Sequence, residues 1–238
     1  MSQKGKSLTF VRAILFDLDD TLYLEQHFVL SGFKSVAAVL EAEYGVERKQ
    51  VWHKMVELFE QGERRRVFDR TLLQIGVHPD REIISRLVDI YRHHRPCISL
   101  ADDALSVLKW ASGRYKLGII TDGYGPMQRN KVDVLGLQPW TDVIIYSDDL
   151  GREYWKPSPK PFLEALRAIS VQPAEAIYVA DNPHKDFIGA RSLGMGTIRI
   201  RRAGGLYANI TLDSEHEADH EISTLMDLVR LLNSDKKE

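Results

Sequence analysis

Short runs of apolar, strand-forming residues recur along the chain and alternate with segments in which apolar residues have helical spacing. The first run is Val11-Arg-Ala-Ile-Leu-Phe-Asp17, and further runs occupy residues 117–121, 143–146, 176–180 and 197–200. Each run is followed by turn-forming or acidic residues. Strands that alternate with helices predict an α/β fold of the Rossmann-like three-layer kind, with a parallel sheet covered by helices on both faces.

One long region interrupts this alternation, because residues 24–96 contain no convincing strand. Their apolar spacing predicts four helices, which are separated by glycines that favour turns. The helices are predicted over residues 26–44, 47–62, 64–75 and 79–94. The sequence therefore predicts an α/β core of residues 1–23 and 97–238, with a helical domain of residues 24–96 inserted after the first strand.

Composition and charge limit the classes of partner. Of the 238 residues, 44% are hydrophobic and 28% are charged, as in an ordinary globular protein. The formal net charge of −2 gives no electrostatic reason to expect nucleic acid as a partner. The single cysteine, Cys97, excludes an internal disulfide and fits a reducing compartment.

The sequence shows no pattern for export or membrane insertion. Its first seven residues are polar, and the apolar run that follows is too short for a signal peptide and contains Arg12. No stretch of about 18 apolar residues is present, so no membrane-spanning helix is expected. A cytoplasmic location is the prediction, and the sequence leaves the oligomeric state open.

Two carboxylates follow directly on the first predicted strand, in Asp17-Leu-Asp19-Asp-Thr21. They are expected at the carboxyl end of that strand, which is where open α/β sheets bind ligands. Neighbouring carboxylates repel each other unless a cation lies among them. For ligation by oxygen atoms alone, the predicted cation is Mg²⁺.

Polar residues of complementary chemistry follow three other predicted strands. Thr121 ends the second strand, Lys156 precedes a helix after the third, and Asp181 and Asp186 follow the fourth. A parallel sheet brings the carboxyl ends of its strands to one edge. That edge is therefore predicted to hold a nucleophile, a second carboxylate, a hydroxyl, a cation and two further acids for a metal.

These segments resemble the four motifs of the haloacid dehalogenase (HAD) superfamily, in the same order and with similar spacing. The resemblance extends from Ala13 to about Arg201, and the helical insert resembles the C1-type cap of that family. The segment Asp122-Gly-Tyr-Gly-Pro-Met-Gln128-Arg-Asn-Lys131 also resembles the family's Asn-Gly…Gln…Lys segment, with Asp122 in place of asparagine.

The resemblance implies a phosphatase mechanism. Asp17 would attack phosphorus and form an aspartyl-phosphate, and Asp19 would protonate the leaving oxygen and then activate water. The implied contacts to substrate come from the second and third motifs: Thr121, Asp122, Gly123 and Lys156. The implied ligands of Mg²⁺ come from the first and fourth motifs: Asp17, the backbone carbonyl of Asp19, Asp181 and Asp186. Asp186 would bind the metal directly, or would support the metal's waters or Lys156.

The expected partner is a small phosphate monoester, such as a nucleotide or a sugar phosphate. Residues of the cap would select it, and the sequence does not identify them. A phosphomutase has the same motifs and is the main alternative. Asp19 argues against a haloacid dehalogenase, which has no leaving oxygen to protonate. The presence of Asp17 and Lys156 argues against a non-catalytic binding protein on the same fold.

Overall fold

The structure, a computed structural model, describes residue 8 and residues 10–234. The polar start of the chain, on which the prediction of no signal peptide depends, lies outside these residues. The chain forms two compact units, one made of residues 1–25 and 98–238 and the other of Gln26–Cys97. Within the described ranges, no helix combines the length and the apolar character needed to cross a bilayer.

Nine α-helices lie in the described part of the chain. In chain order they are α1 Glu25–Tyr44, α2 Arg48–Glu60, α3 Val67–Gln74, α4 Arg81–His93, α5 Asp102–Ala111, α6 Gly125–Leu135, α7 Lys160–Ile169, α8 Asp186–Ser192 and α9 Leu225–Ser234. The first four belong to the second unit, apart from Glu25, and the remaining five belong to the first unit.

A six-stranded parallel sheet forms the centre of the first unit. The strands are β1 Ala13–Phe16, β2 Lys116–Thr121, β3 Val143–Tyr146, β4 Ala176–Ala180, β5 Gly196–Ile200 and β6 His220–Ile222, and their order in the sheet is β3-β2-β1-β4-β5-β6. β1 pairs with β2 and β4, so Phe16 stands between Ile119 and Val179. The predicted α/β fold with a parallel sheet is confirmed.

Helices cover both faces of this sheet. On one face, Leu15 and Tyr178 belong to a core cluster with Phe162 of α7. Ile14 and Phe16 alternate with Leu15 and therefore point to the opposite face, where they are also fully buried. A strand without an exposed side has a continuous apolar sequence, which is what β1 shows.

The second unit consists of α1 to α4 and has its own core. Residues from all four helices contribute to this core, among them Phe33, Met55, Leu72 and Leu87. Gly32 allows α1 and α4 to approach closely, because a Cβ there would lie 2.5 Å from the ring of Tyr91. The helices are those that the sequence predicts, whereas the role of this unit as a cap stays a prediction.

The edge strand β6 is not predicted from the sequence. It has only three residues, of which Ile222 alone is buried, so no apolar run marks it. The preceding segment is held by charged groups: Arg199 of β5 pairs with Glu217 at 2.7 Å and donates to the carbonyl of Tyr207 at 2.8 Å. Arg199 is almost fully buried, and a buried guanidinium requires such partners.

Helix α8 lies very close to the loop before α7, and Gly189 allows this approach. A Cβ at Gly189 would stand 2.4 Å from the carbonyl oxygen of Pro157 and 3.0 Å from that of Ser158. Because these neighbours are backbone atoms, rotation of a side chain cannot relieve the contact. The approach places Asp186, at the start of α8, against Lys156 of the loop.

Replacement of Gly189 by alanine should destabilise the protein, although alanine favours helices by about 1 kcal/mol. Overpacking should lower the free energy of unfolding by about 1–3 kcal/mol, measured by urea denaturation. Gly125→Ala in α6 is the matched control, because a Cβ there lies no closer than 3.4 Å to its neighbours. Unchanged stability of Gly189→Ala would contradict the close approach.

Candidate active site

The predicted site residues lie at the carboxyl edge of the sheet. Asp17 follows β1, Thr121 ends β2 and Asp181 follows β4, and all three are buried. The backbone N–H of Asp17 donates to the carbonyl of Val179 at 2.9 Å, so the sheet still fixes its backbone. Rigid strands therefore determine where these side chains begin.

Three carboxylates meet at this edge. One oxygen each from Asp17, Asp181 and Asp186 lies within 4.8 Å of the others. Asp186 is held at the start of α8 by a reciprocal contact: its Oδ2 accepts from the backbone N–H of Asn182 at 3.0 Å, and its own N–H donates to the Asn182 carbonyl at 3.1 Å. The loop between β4 and α8 thus fixes two of the three acids relative to each other.

This cluster carries excess negative charge. Burial raises the pKa of Asp17 to about 7, with Asp186 adding to the rise and Lys156 opposing it. Burial, together with the charges of Asp186 and Asp17, also raises the pKa of Asp181 well above its usual range. Buried oxygen ligands that repel one another fit a hard divalent cation, which would relieve the repulsion.

Lys156 is the cation that contacts this cluster directly, and its side chain is fully buried. Its Nζ lies 2.5 Å from Oδ1 of Asp17, 2.7 Å from Oδ1 of Asp186 and 2.8 Å from the hydroxyl of Tyr178. Burial alone would lower the pKa of Lys156, but Asp17 and Asp186 raise it well above its usual range. The ammonium group is therefore charged; it donates hydrogen bonds to Asp17 and Tyr178 and forms an ion pair with Asp186.

The carboxylate of Asp19 is bound by a separate set of side chains. Lys131 donates to both of its oxygens at 2.7 and 2.9 Å, Gln128 donates at 3.0 Å, and the hydroxyl of Tyr23 donates to Oδ1. Burial would raise the pKa of Asp19, but Lys131 and these hydrogen bonds lower it below the ordinary value. The resting site thus holds Asp19 as a fixed carboxylate.

Gly123 permits the turn that brings Gln128 to Asp19. Its φ of +128° disfavours any residue with a side chain, and a Cβ there would lie 2.8 Å from Nε2 of Gln128. The same amide donates to the backbone carbonyl of Asp122. A glycine at this position is therefore required by the geometry of the turn after β2.

Asp122 connects two lysines. Its Oδ1 accepts from the backbone N–H of Lys156 at 3.3 Å, and its Oδ2 accepts from Nζ of Lys185 at 3.0 Å. Burial would raise the pKa of Asp122, but the charges of Lys156 and Lys185 lower it below the usual range. Lys185 is a second cation at this edge of the sheet.

Asp20 stabilises the turn that follows β1. Its φ of +51° is uncommon for a residue other than glycine. Its carboxylate accepts from the backbone N–H groups of Glu25 at 2.8 Å and Leu206 at 2.9 Å. Arg202 donates twice to the carbonyl of Thr21, which anchors the same turn to the segment after β5.

The structure brings together Asp17, Asp181, Asp186 and Lys156, and it places Asp19 in a neighbouring network with Lys131. Their catalytic roles stay predictions. The sequence alone predicts no role for Tyr178, Lys185 or Tyr23. A tyrosine in a strand gives no sequence signal beyond strand propensity. Lys185, in contrast, lies between the two acids of the fourth motif, and this position is a signal that the sequence does contain.

Comparison with known proteins agrees with this architecture. The family described as Haloacid dehalogenase-like hydrolase matches residues 14–200. The glyceraldehyde 3-phosphate phosphatase of Methanopyrus kandleri is 31% identical over 236 residues, which are 94% of this chain and 100% of that protein.

Two crystal structures are also similar. The HAD phosphatase from Thermococcus onnurineus has a TM-score of 0.61 at 28% identity and covers 93% of this chain and 98% of its own. The 2-haloacid dehalogenase from Pseudomonas syringae pv. tomato has a TM-score of 0.64 at 26% identity and covers 94% of this chain and 99% of its own.

The parallel sheet and its edge of carboxylates are those of an α/β hydrolytic enzyme. The chain belongs to the haloacid dehalogenase-like hydrolase family.

Removal of the Tyr178 hydroxyl should destabilise the protein, because the buried ammonium group of Lys156 loses a hydrogen-bond acceptor. Tyr178→Phe takes one acceptor from a buried ammonium group, which is expected to cost about 1–3 kcal/mol of the free energy of unfolding. In a Lys156→Met background the same change should cost much less, because no buried cation remains. A double-mutant cycle by urea denaturation measures the coupling; purely additive effects would contradict the contact.

Proposed function

We propose that the protein is a Mg²⁺-dependent phosphatase that hydrolyses small phosphate monoesters through an aspartyl-phosphate on Asp17. The observation that carries the proposal is the position of Asp17, whose carboxylate contacts Lys156 and has an oxygen within 4.8 Å of oxygens of Asp181 and Asp186. A nucleophile that must approach a phosphate dianion needs positive charge nearby, which Lys156 and a metal ion held by the acids would provide. The phosphatase names of two relatives support the same reaction.

The metal would be held by oxygen ligands only. Asp17, Asp181 and Asp186 are the candidates among side chains, and the resemblance implies the backbone carbonyl of Asp19 as a fourth ligand. When bound, Mg²⁺ supplies positive charge that offsets the negative charge of the acids and of the substrate phosphate. Lys156, in contact with Asp17, supplies the second positive charge.

In the first half of the reaction, a carboxylate oxygen of Asp17 forms a bond to phosphorus as the bond to the ester oxygen breaks. Asp19 gives its proton to the departing oxygen, which leaves as an alcohol. In the second half, a water attacks phosphorus and gives a proton to Asp19. Phosphate leaves, and Asp17 is again a carboxylate.

Lys131 favours one of the two states that this cycle requires of Asp19. Its contact stabilises the carboxylate, which is the state that accepts a proton from water. The protonated state is favoured when a phosphate dianion binds nearby, because a second negative charge raises the pKa of a carboxyl group. Substrate binding is therefore expected to raise the pKa of Asp19, whereas Lys131 lowers it.

Two related reactions, those of a phosphomutase and of a dehalogenase, are alternatives to phosphate hydrolysis. A phosphomutase would pass the phosphoryl group to a second hydroxyl instead of water. A dehalogenase would act on a haloacid instead of a phosphate ester, and the similar protein from Pseudomonas syringae is a 2-haloacid dehalogenase by name. The presence of a second carboxyl group, Asp19, favours phosphate esters, because their leaving oxygen needs a proton and a haloacid has no such oxygen. A small sugar phosphate, such as glyceraldehyde 3-phosphate, is the first substrate to test.

Hydrolysis of phosphorylated sugars, nucleotides and p-nitrophenyl phosphate should require Mg²⁺ and stop in EDTA. Asp17→Asn should lower kcat by at least about 10³-fold, because the attacking group is lost. Acid quenching of the wild type with labelled substrate should trap phosphate on Asp17, seen by peptide mass spectrometry. Transfer of label to a sugar would indicate a mutase, and wild-type activity no higher than that of Asp17→Asn would overturn the proposal.

The acid cluster should respond to metal in the absence of any substrate. In EDTA at neutral pH, Asp181→Asn should be more stable than the wild type, because it removes one of three mutually repelling buried carboxylates. Mg²⁺ at about 100 times its Kd should stabilise the wild type by about 2.7 kcal/mol and the variant much less. Asp142→Asn, which alters an acid paired with Lys116, is the control. Equal Mg²⁺-induced shifts in Tm for all three proteins would contradict this metal site.

A further inference from the structure

Lys185 differs from Lys156 in its exposure. It lies in the loop between β4 and α8, directly before Asp186. One third of its side chain is exposed, whereas the side chain of Lys156 is fully buried. Lys185 therefore stands where the site meets solvent, while Lys156 lies beneath it.

The position of the Lys185 ammonium group is fixed. Its Nζ lies 3.0 Å from Oδ2 of Asp122, and the other oxygen of that carboxylate accepts from the backbone N–H of Lys156. Burial raises the pKa of Asp17, and Lys185 is one of the two lysines that oppose this rise. Its charge therefore acts on the carboxylate that we propose as the nucleophile.

Lys185 also has donors to spare. Lys156 donates hydrogen bonds to Asp17 and Tyr178 and forms an ion pair with Asp186. Among the residues that the structure describes, Asp122 is the acceptor found for Lys185, and an ammonium group has three donors. A ligand that enters from solvent can therefore bind Lys185 without breaking its contact to Asp122.

The surroundings of Lys185 provide a surface for such a ligand. The ring of His184 packs edge-on against that of Tyr207, with centroids 5.8 Å apart. Burial raises the pKa of Tyr207 and Lys185 opposes the rise, so the phenol lies within the field of this lysine. The segment with Tyr207 is tied to the site through Leu206, whose N–H donates to Asp20 at 2.9 Å.

We propose that Lys185 binds a second anionic group of the substrate, next to the phosphoryl group that Lys156 contacts. The inference rests on the proposed function and narrows its substrate class. The site favours phosphate monoesters that carry a carboxylate or a second phosphate near the ester oxygen. Charge-assisted hydrogen bonds to a partly buried ammonium group give the preference.

A matched pair of compounds tests this preference. Glycerol 3-phosphate and 3-phosphoglycerate share a carbon skeleton and differ in one carboxylate, and propane-1,3-diol bisphosphate carries a second phosphate instead. Binding to Asp17→Asn with Mg²⁺ is measured by calorimetry, so the test does not depend on turnover. Either anion-bearing compound should bind at least about tenfold more tightly than glycerol 3-phosphate, and the two compounds distinguish a carboxylate site from a phosphate site.

Neutralisation of Lys185 should remove the preference. In Asp17→Asn/Lys185→Met, the affinity for the anion-bearing compound should fall by about 10- to 100-fold, and that for glycerol 3-phosphate by less than about threefold. Lys185→Arg should retain the preference, and Lys185→Gln replaces the methionine variant if that variant does not fold. Lys109→Met, at an exposed position of α5, is the charge-matched control.

The outcomes separate this inference from the proposed function. Equal losses for all compounds would mean that Lys185 serves the transferred phosphate or only orients Asp122, and would overturn the inference. An unchanged preference, or none in the Asp17→Asn parent, would overturn it as well. Tight, Lys185-dependent binding without hydrolysis by the wild type would support the inference and overturn the phosphatase.

Discussion

Burial of three carboxylates around one lysine is the constraint on which the rest of this structure depends. Asp17, Asp181 and Asp186 share a space of less than 5 Å, and the single ammonium group of Lys156 cannot neutralise them. In water these groups would separate and be screened. The parallel sheet prevents this, because the backbones of β1 and β4 are paired residue by residue up to the site. Strain of this kind is expected where a cation and an anionic ligand will bind.

Much of the surrounding structure can be understood as support for that cluster. Gly189 lets α8 approach the loop of Lys156, and the hydroxyl of Tyr178 accepts a hydrogen bond from the ammonium group. Asp20 accepts two backbone N–H groups and thereby holds a backbone conformation that few side chains adopt. None of these residues has to contact a ligand. Each one fixes a group that would otherwise move when the charge of the cluster changes.

The sequence identified the fold and the acids because both leave local signals. The apolar run of β1 ends in Asp17, and four such runs with polar ends are enough to predict one ligand-binding edge. β6 was missed because it owes its pairing to β5 and to the arginines nearby rather than to its own three residues. Tyr178 was missed because its hydroxyl acts across the sheet, on a lysine 22 positions earlier in the chain. Contacts of this kind depend on tertiary structure, so no local pattern records them.

Lys156 and Lys185 differ in burial, and we infer that they therefore differ in function. Lys156 is enclosed, so the protein determines its contacts: two acids, a phenol and, in the proposed reaction, the phosphoryl group that every phosphate ester shares. A group in that position can promote the reaction but cannot distinguish one ester from another. Discrimination between substrates requires a charged group at the boundary with solvent, because the remainder of the substrate lies there. When a substrate lacks the matching anionic group, water hydrates the charge at little cost. Lys185 is in such a position on the α/β unit itself, and the core of this enzyme therefore has its own means of selecting a substrate.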